Sequence, residues 1–356
     1  MILDELTYEQ CMQQGVGPMV FPARLEKGID PANSLRMKAV CLQNMQEQVK
    51  LGHTLAVAWR ALEEAGIRAI LMKGAGLAAL YPDPSMRQWG DIDLYVGKEQ
   101  YHPACAAMRK AFPKALKFDE ELDHYKHYNL IADGVSIEVH RVTMSMTHPI
   151  DAKRYEKMEL FGRVMGEWLQ VNGLEVKIFE PTFNALFVFL HSWEHMMTQG
   201  ANVRQLCDIC LLLHHYADRI DRKRLARWLR ELHLTEVWQI YMAICVKHLG
   251  LAEEEAPGWS DGLKSERIKE LKNERIKELK SERLWEALIE GRMREIKSID
   301  SAPAKNRFVR KWHTMKIRMR NADRIGEFCP AYARHLRVGI LLSGLGRLFA
   351  KDRHWE

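Results

Sequence analysis

The chain has 356 residues, of which 47% are hydrophobic and 28% charged, with a formal net charge of +6. That composition excludes a disordered tail, a collagen-like rod and a small disulfide scaffold. At about 150 residues per domain, the length predicts two domains.

Seven cysteines are scattered at 11, 41, 105, 207, 210, 245 and 329. Without paired C-x-x-C spacing they read as reduced thiols. Cys207 and Cys210 form a single C-x-x-C inside the helical pattern QLCDICLLLHHY and read as buried thiols. The acidic start MILDELTYEQC lacks the basic and apolar regions of a signal peptide, and the apolar run 338–350 is too short and glycine-broken to span a bilayer. No transmembrane segment and a cytoplasmic location are therefore expected. From residue 261 onward there are 24 Lys and Arg against 14 Asp and Glu, which leaves 29 against 33 before it. The body is mildly acidic and the last quarter basic. The basic quarter reads either as solvated helix faces or as a surface for RNA or a protein partner.

In chain order, residues 34–65 carry Leu35, Val40, Leu42, Met45, Val49, Leu55, Val57 and Leu62 at helical spacing, with Gly66 as a C-cap. IRAILM (67–72) is a buried strand, and Lys73-Gly74 turns the chain into a small-residue helix that stops at Pro82 and Pro84. DIDLYV (91–96) is a second strand and 99–112 a helix. Asp133-Gly134 and Asn172-Gly173 are type I′ turn signals, predicting hairpins over 128–142 and 167–179. After Pro181, four amphipathic helices follow. LKSERIKE, LKNERIKE and LKSERLWE repeat over 263–286 with period eight. Each octad drifts by about 80° around a helix, so no apolar seam persists; an exposed, charged helix is expected, not a coiled coil. The predicted parts are an N-terminal helical segment packing on the core (1–66), a core of mixed sheet (67–180), a helical domain (181–260) and a basic helical region (261–356).

Chemistry concentrates in KGAGLAALYPDPSMRQWGDIDLYV (73–96). Asp91 and Asp93 lie two apart on a strand, so their carboxylates share a face while Ile92 and Leu94 face a core. Paired carboxylates repel unless a cation joins them, and Mg²⁺ (or Mn²⁺) meets that need with oxygen ligands. Glu138, on the polar face of SIEVH, supplies a third carboxylate. Gly74 lets backbone amides approach a phosphate, and Lys73 or Arg87 adds positive charge. The turn at 133–134 puts Asn129 opposite Glu138 and His127 opposite His140, so His140, His127 and Asn129 fall near the site. His191 and His195, spaced i,i+4, can chelate zinc, cap the pocket or sit in the helical core.

The order of these motifs resembles the polymerase β-type nucleotidyltransferase superfamily. More narrowly, KG…YP…R…DIDL followed by E-x-H, with the later FLHSWEHMM and RQLCDICLLL, resembles the bacterial uncharacterised nucleotidyltransferase family over roughly residues 35–250. The resemblance implies an α+β fold: a mixed sheet with flanking helices, followed by an all-helical domain. It implies a magnesium-dependent enzyme moving NMP from an NTP to a hydroxyl of a small molecule, protein or RNA. Asp91, Asp93 and Glu138 would be the catalytic and metal carboxylates. Lys73, Gly74, Ala75, Arg87 and His140 would bind the nucleotide. The superfamily turn usually reads Gly-Gly or Gly-Ser; here Ala75 supplies no hydroxyl, only its backbone amide. The competing readings are a non-catalytic nucleotide-binding module, the nucleotidyltransferase half of a toxin–antitoxin pair, and a zinc hydrolase using His191 and His195.

Overall fold

The computed structural model describes residues 2–118, 122, 124–198, 200–258, 267–290 and 307–349. The chain divides into two compact units, with the division falling inside two helices. The sheet unit holds residues 4–145 and 159–184, so the N-terminal helices belong to the same unit as the sheet. The helical unit takes 146–158 and the chain from 185, so the expected helical domain and basic region form one body.

The sheet unit begins with helices α1 (Tyr8–Gln13), α2 (Gly17–Glu26) and the long α3 (Ser34–Glu64). The apolar positions that mark α3 in the sequence are its buried face only toward the C-terminal end, at Leu55 and Leu62. Leu35, Leu42, Met45 and Val49 are exposed, whereas Met37, Asn44, Gln48, Leu51, Leu55 and Leu62 are buried. Those buried positions advance by three, four or seven and form one helical stripe. Two polar residues lie in it because each donates to a backbone carbonyl outside the helix: Asn44 Nδ2 to Ser85, and Gln48 Nε2 to Arg87 at 2.8 Å.

Strand β1 (Ile70–Met72), the short helix α4 (Gly74–Ala78), β2 (Asp91–Tyr95), α5 (Gly97–Ala111), β3 (Leu116–Lys117), β4 (His127–Ala132) and β5 (Val135–His140) follow. The five strands form one mixed sheet in the order β1-β2-β5-β4-β3. Strand β2 runs antiparallel to β1 and parallel to β5, and β4–β5 is an antiparallel hairpin. Asp133 and Gly134 adopt φ of 50° and 79°, the left-handed pair that a type I′ turn requires. Ile92, Leu94, Ile137, Val139, Leu130 and Tyr128 are fully buried. That packing fixes which face of each strand is left for polar residues.

Helix α6 (Pro149–Val164) precedes a second hairpin, β6 (Glu167–Val171) and β7 (Leu174–Ile178). Its turn residues Asn172 and Gly173 again take positive φ, 50° and 77°. Gly162 and Gly166 of this stretch admit no side chain. A Cβ at Gly162 would lie 2.3 Å from the Phe183 ring, and one at Gly166 would lie 2.5 Å from the Ile178 carbonyl.

The helical unit contains α7 (Pro181–Thr198), α8 (Val203–His215), α9 (Arg222–Glu231), α10 (Thr235–Leu249), α11 (Arg267–Ile289), α12 (Arg307–Gly326) and α13 (Pro330–Phe349). Its core includes Phe187, Phe189, Trp193, Leu206, Trp238 and Tyr241. Cys207 and Cys210 are free and buried there, and burial pushes both thiols up. The repeat enters the described residues at 267. Its third octad is not a free charged face: Ser281, Leu284 and Trp285 are buried. Trp285 stacks on His248 of α10 at 4.6 Å, while Lys280 reaches Glu236 and Lys247 reaches Glu278 at 2.6 and 2.5 Å. The eight-residue drift turns apolar Leu and Trp toward α10 once, which suffices for one docking turn. Residues 263–266 of the repeat lie outside the described residues. Among the described residues, no helix is long and apolar enough to cross a membrane.

Candidate active site

The site grows from the turn after β1. Lys73 has φ 49° and ψ −138°, a conformation that costs a non-glycine residue on the order of 1–3 kcal/mol. Gly74 follows at φ 39°, and a Cβ there would meet the Asp91 carbonyl and the Trp89 ring, each at 3.3 Å. Glycine is therefore required by both backbone and space. Arg87, buried at 4% exposure, donates from Nη1 to the Gly74 carbonyl at 3.0 Å. Trp89 Nε1 donates to Gln48 Oε1, and Gln48 donates to the Arg87 carbonyl. Arg87 thus braces the turn from inside. Asn44, Gln48 and Trp89 were not singled out in the sequence; the signal was two polar residues four apart within a buried helical stripe.

The turn delivers the Lys73 ammonium to 3.1 Å from Asp93 Oδ2. Strand register does the rest. Asp93 pairs with Glu138 across the parallel β2–β5 ladder, Asp91 with Ser136, and Tyr95 with His140. In the hairpin, Asn129 pairs with Glu138 and His127 with His140, as the 133–134 turn predicts. His140 Nε2 lies 3.0 Å from Asp93 Oδ1 and 3.0 Å from Glu138 Oε2, bridging the two carboxylates. His127 Nδ1 is 3.8 Å from Glu138 Oε2, and its ring lies 4.9 Å from that of His140. Asn129 Oδ1 accepts from Ser136 Oγ at 3.0 Å.

Electrostatics follow from this geometry. Burial works to lower the Lys73 pKa, but the charges of Asp93, Asp91 and Glu138 outweigh it and raise it. Burial likewise opposes the His140 imidazolium, yet hydrogen bonds to Asp93 and Glu138 raise its pKa. Burial would raise Glu138, but the His140 hydrogen bond holds it below the usual carboxylate range. His127 is pushed down to about 4, first by burial and against the pull of Glu138, with His140 adding to the depression. The resting site is a salt network: an ammonium and an imidazolium neutralise buried carboxylates.

The donor set fits a divalent cation. Asp91, Asp93 and Glu138 supply hard oxygen ligands, the kind Mg²⁺ and Mn²⁺ take. His127, Glu138 and His140 also offer three ligand atoms within 4.8 Å of one another. A cation entering beside Asp93 has to displace Lys73 or His140 from its oxygens. Ala75 is buried in α4. His191 and His195 belong to the helical unit, where their rings meet edge to face at 4.5 Å in α7.

A glycine turn, a D-x-D strand and a facing glutamate thus lie together on one mixed sheet. Residues 4–250 match the family described as "Uncharacterised nucleotidyltransferase", and the chain belongs to that family. The match ends at the close of α10, before the octad repeat. A solved structure of an antigenic nucleotidyltransferase-like protein from Paracoccidioides brasiliensis aligns with 60% of this chain and 93% of its own, at 17% identity and a TM-score of 0.36. Comparison with curated proteins gives no match.

Proposed function

We propose that the protein transfers a nucleoside monophosphate from an NTP to a hydroxyl acceptor, with Asp91, Asp93 and Glu138 holding Mg²⁺ or Mn²⁺. The observation that carries this is the contact of Lys73 with Asp93 at 3.1 Å, on the strand face that also carries Asp91 and, across the ladder, Glu138. The bound cation would neutralise phosphate charge and lower the pKa of the acceptor hydroxyl.

The chain's own residues have distinct tasks. Lys73, held by its strained backbone at the end of β1, would turn from Asp93 to the phosphates once a cation neutralised the carboxylates. Glu138, kept ionised by His140, takes the proton as the acceptor oxygen attacks the α-phosphorus. The bond from the α-phosphorus to the bridging oxygen breaks, and pyrophosphate leaves. Gly74 lets the turn's backbone come close to the phosphates, while Arg87, Gln48 and Trp89 hold that turn rigid. Catalysis then comes from positioning and charge neutralisation.

The test is incubation with each α-labelled NTP, Mg²⁺ and cell extract. Label transferred by the wild type and lost in Asp93→Ala supports the proposal. Undetectable NTP·Mg²⁺ binding by calorimetry at millimolar ligand overturns it. Binding without transfer in any extract selects a non-catalytic nucleotide-binding module.

A further inference from the structure

A second cluster of metal-binding side chains lies wholly within the helical unit, away in sequence from the D-x-D strand. His148 precedes α6, Asp151 is in its first turn, and His335 is on α13. Their ligand atoms all lie within 4.8 Å of one another. His335 Nε2 is 2.6 Å from Asp151 Oδ2, and the His148 and His335 rings stack at 4.5 Å. A third imidazole closes in: the His233 ring centroid is 3.9 Å from that of His335. His233 holds this place in a left-handed conformation, φ 59°.

The approach is enforced by packing. Gly339 lies one helical turn beyond His335, and a Cβ there would come within 3.0 Å of His148 Cβ and 3.1 Å of its Cα. Glycine lets α13 press closely against residue 148; a Cβ at 339 would push the two apart by a few tenths of an ångström. Asp151 is 6% exposed, and among the described residues its Oδ1 has no hydrogen bond. Arg154 Nη1 lies 3.6 Å from that oxygen, but it donates to the Glu231 carbonyl at 2.5 Å. Two imidazoles are therefore gathered around one nearly buried carboxylate, with a third imidazole against the second. A single ion pair needs one imidazole; two or three beside a carboxylate form a ligand set for a borderline-soft divalent metal.

We propose that His148, Asp151 and His335 bind one Zn²⁺-class cation, with the His233 ring packed against His335, and that this metal fastens α13 to the start of α6. Binding moves protons as well as the metal. The His335 Nε2 proton now shared with Asp151 is released to solvent. The long bond from Ile150 N to His148 Nδ1, 3.3 Å, is given up if His148 ligates through Nε2 and carries its proton on Nδ1. The three ligands come from both ends of the unit's sequence, α13 and the start of α6, so the metal is assigned to holding the fold. His335 lies outside the family match at 4–250, so the site joins the shared part of the chain to the part beyond it.

The full-length protein, stripped with chelator, is dialysed against micromolar Zn²⁺, desalted and assayed for metal, in parallel with His335→Ala and His127→Ala. The wild type and His127→Ala should each hold one equivalent that His335→Ala lacks. Zinc should also raise the thermal midpoint of the wild type and not that of His335→Ala. His335→Gln guards against misfolding, because it can still donate to Asp151 but removes the imidazole; with a wild-type circular-dichroism spectrum it should still lose the zinc. Wild type that retains no zinc, or His335 variants that retain as much as wild type, overturns the assignment.

Discussion

Two clusters in this chain gather histidines around buried acids, one in each unit, and they balance charge differently. In the sheet unit, the acids outnumber the bases. Asp93 and Glu138 are bridged by His140, and the deficit is made up by Lys73, a flexible side chain on a strained turn. In the helical unit, imidazoles outnumber the single acid, Asp151, and no lysine enters. The first cluster carries its own exchangeable cation and suits a hard metal that arrives with phosphate. The second offers more imidazoles than acids and, on the zinc proposal, suits a metal that stays. What decides the role of a histidine–carboxylate cluster is which partner is in excess.

The comparison can be broken at Asp93. Asp93→Ala should lower nucleotidyl transfer by on the order of 10³-fold or more, measured with α-labelled NTP, because a metal ligand and the anchor of Lys73 vanish together. It should leave zinc at His335 untouched; loss of zinc from this variant would mean that the two clusters are not independent. Removing His140 is the next largest effect. His140→Ala leaves the buried Asp93 and the half-buried Glu138 without their shared donor, and unfolding by denaturant should show a loss of about 1–3 kcal/mol.

The same pair predicts an ordering of titrations, read by NMR of metal-free protein. His140 should titrate above 6.5 and His127 near 4. The sign for stability differs between them. The His140 contribution is complete below its unfolded pKa of about 6.5 and fades as pH rises through its higher folded value. His127 binds its proton less readily when folded, so stability falls as pH drops from about 6.5 to 4. Reversed assignments would mean that His127, not His140, bridges the carboxylates. The smallest expected effect is at Gln48. Gln48→Ala should cost about 1 kcal/mol per hydrogen bond lost and mostly raise the KM for NTP, since it loosens the turn without touching the carboxylates.

These residues also show what a sequence can reveal. The hairpin register was legible because Asp133-Gly134 admits few turns and strands alternate with period two, so Glu138, Asn129, His127 and His140 follow by counting. Family membership was legible from the KG and DIDL motifs. The buried face of α3 was not. Leu35, Leu42, Met45 and Val49 mimic an apolar stripe, while the true stripe contains Asn44 and Gln48, whose carbonyl partners lie about forty residues away. Nor could Lys73 be expected at φ 49°, since helix and strand propensities give no warning of a strained lysine. The His148–Asp151–His335 cluster was hidden by separation along the chain: only the packing at Gly339 brings its halves together.

The docked third octad of α11 has a consequence for how long this protein can be. Its contacts with α10 come from residues 278–285, at the downstream end of the repeat. Deleting or adding one upstream octad leaves those contacts in place and moves the start of the helix by about 12 Å along its axis and about 80° around it. The repeat is therefore an adjustable arm with a fixed foot. Copy number can change between related chains without repacking those contacts, provided that the chain leading back to α10 spans the altered distance.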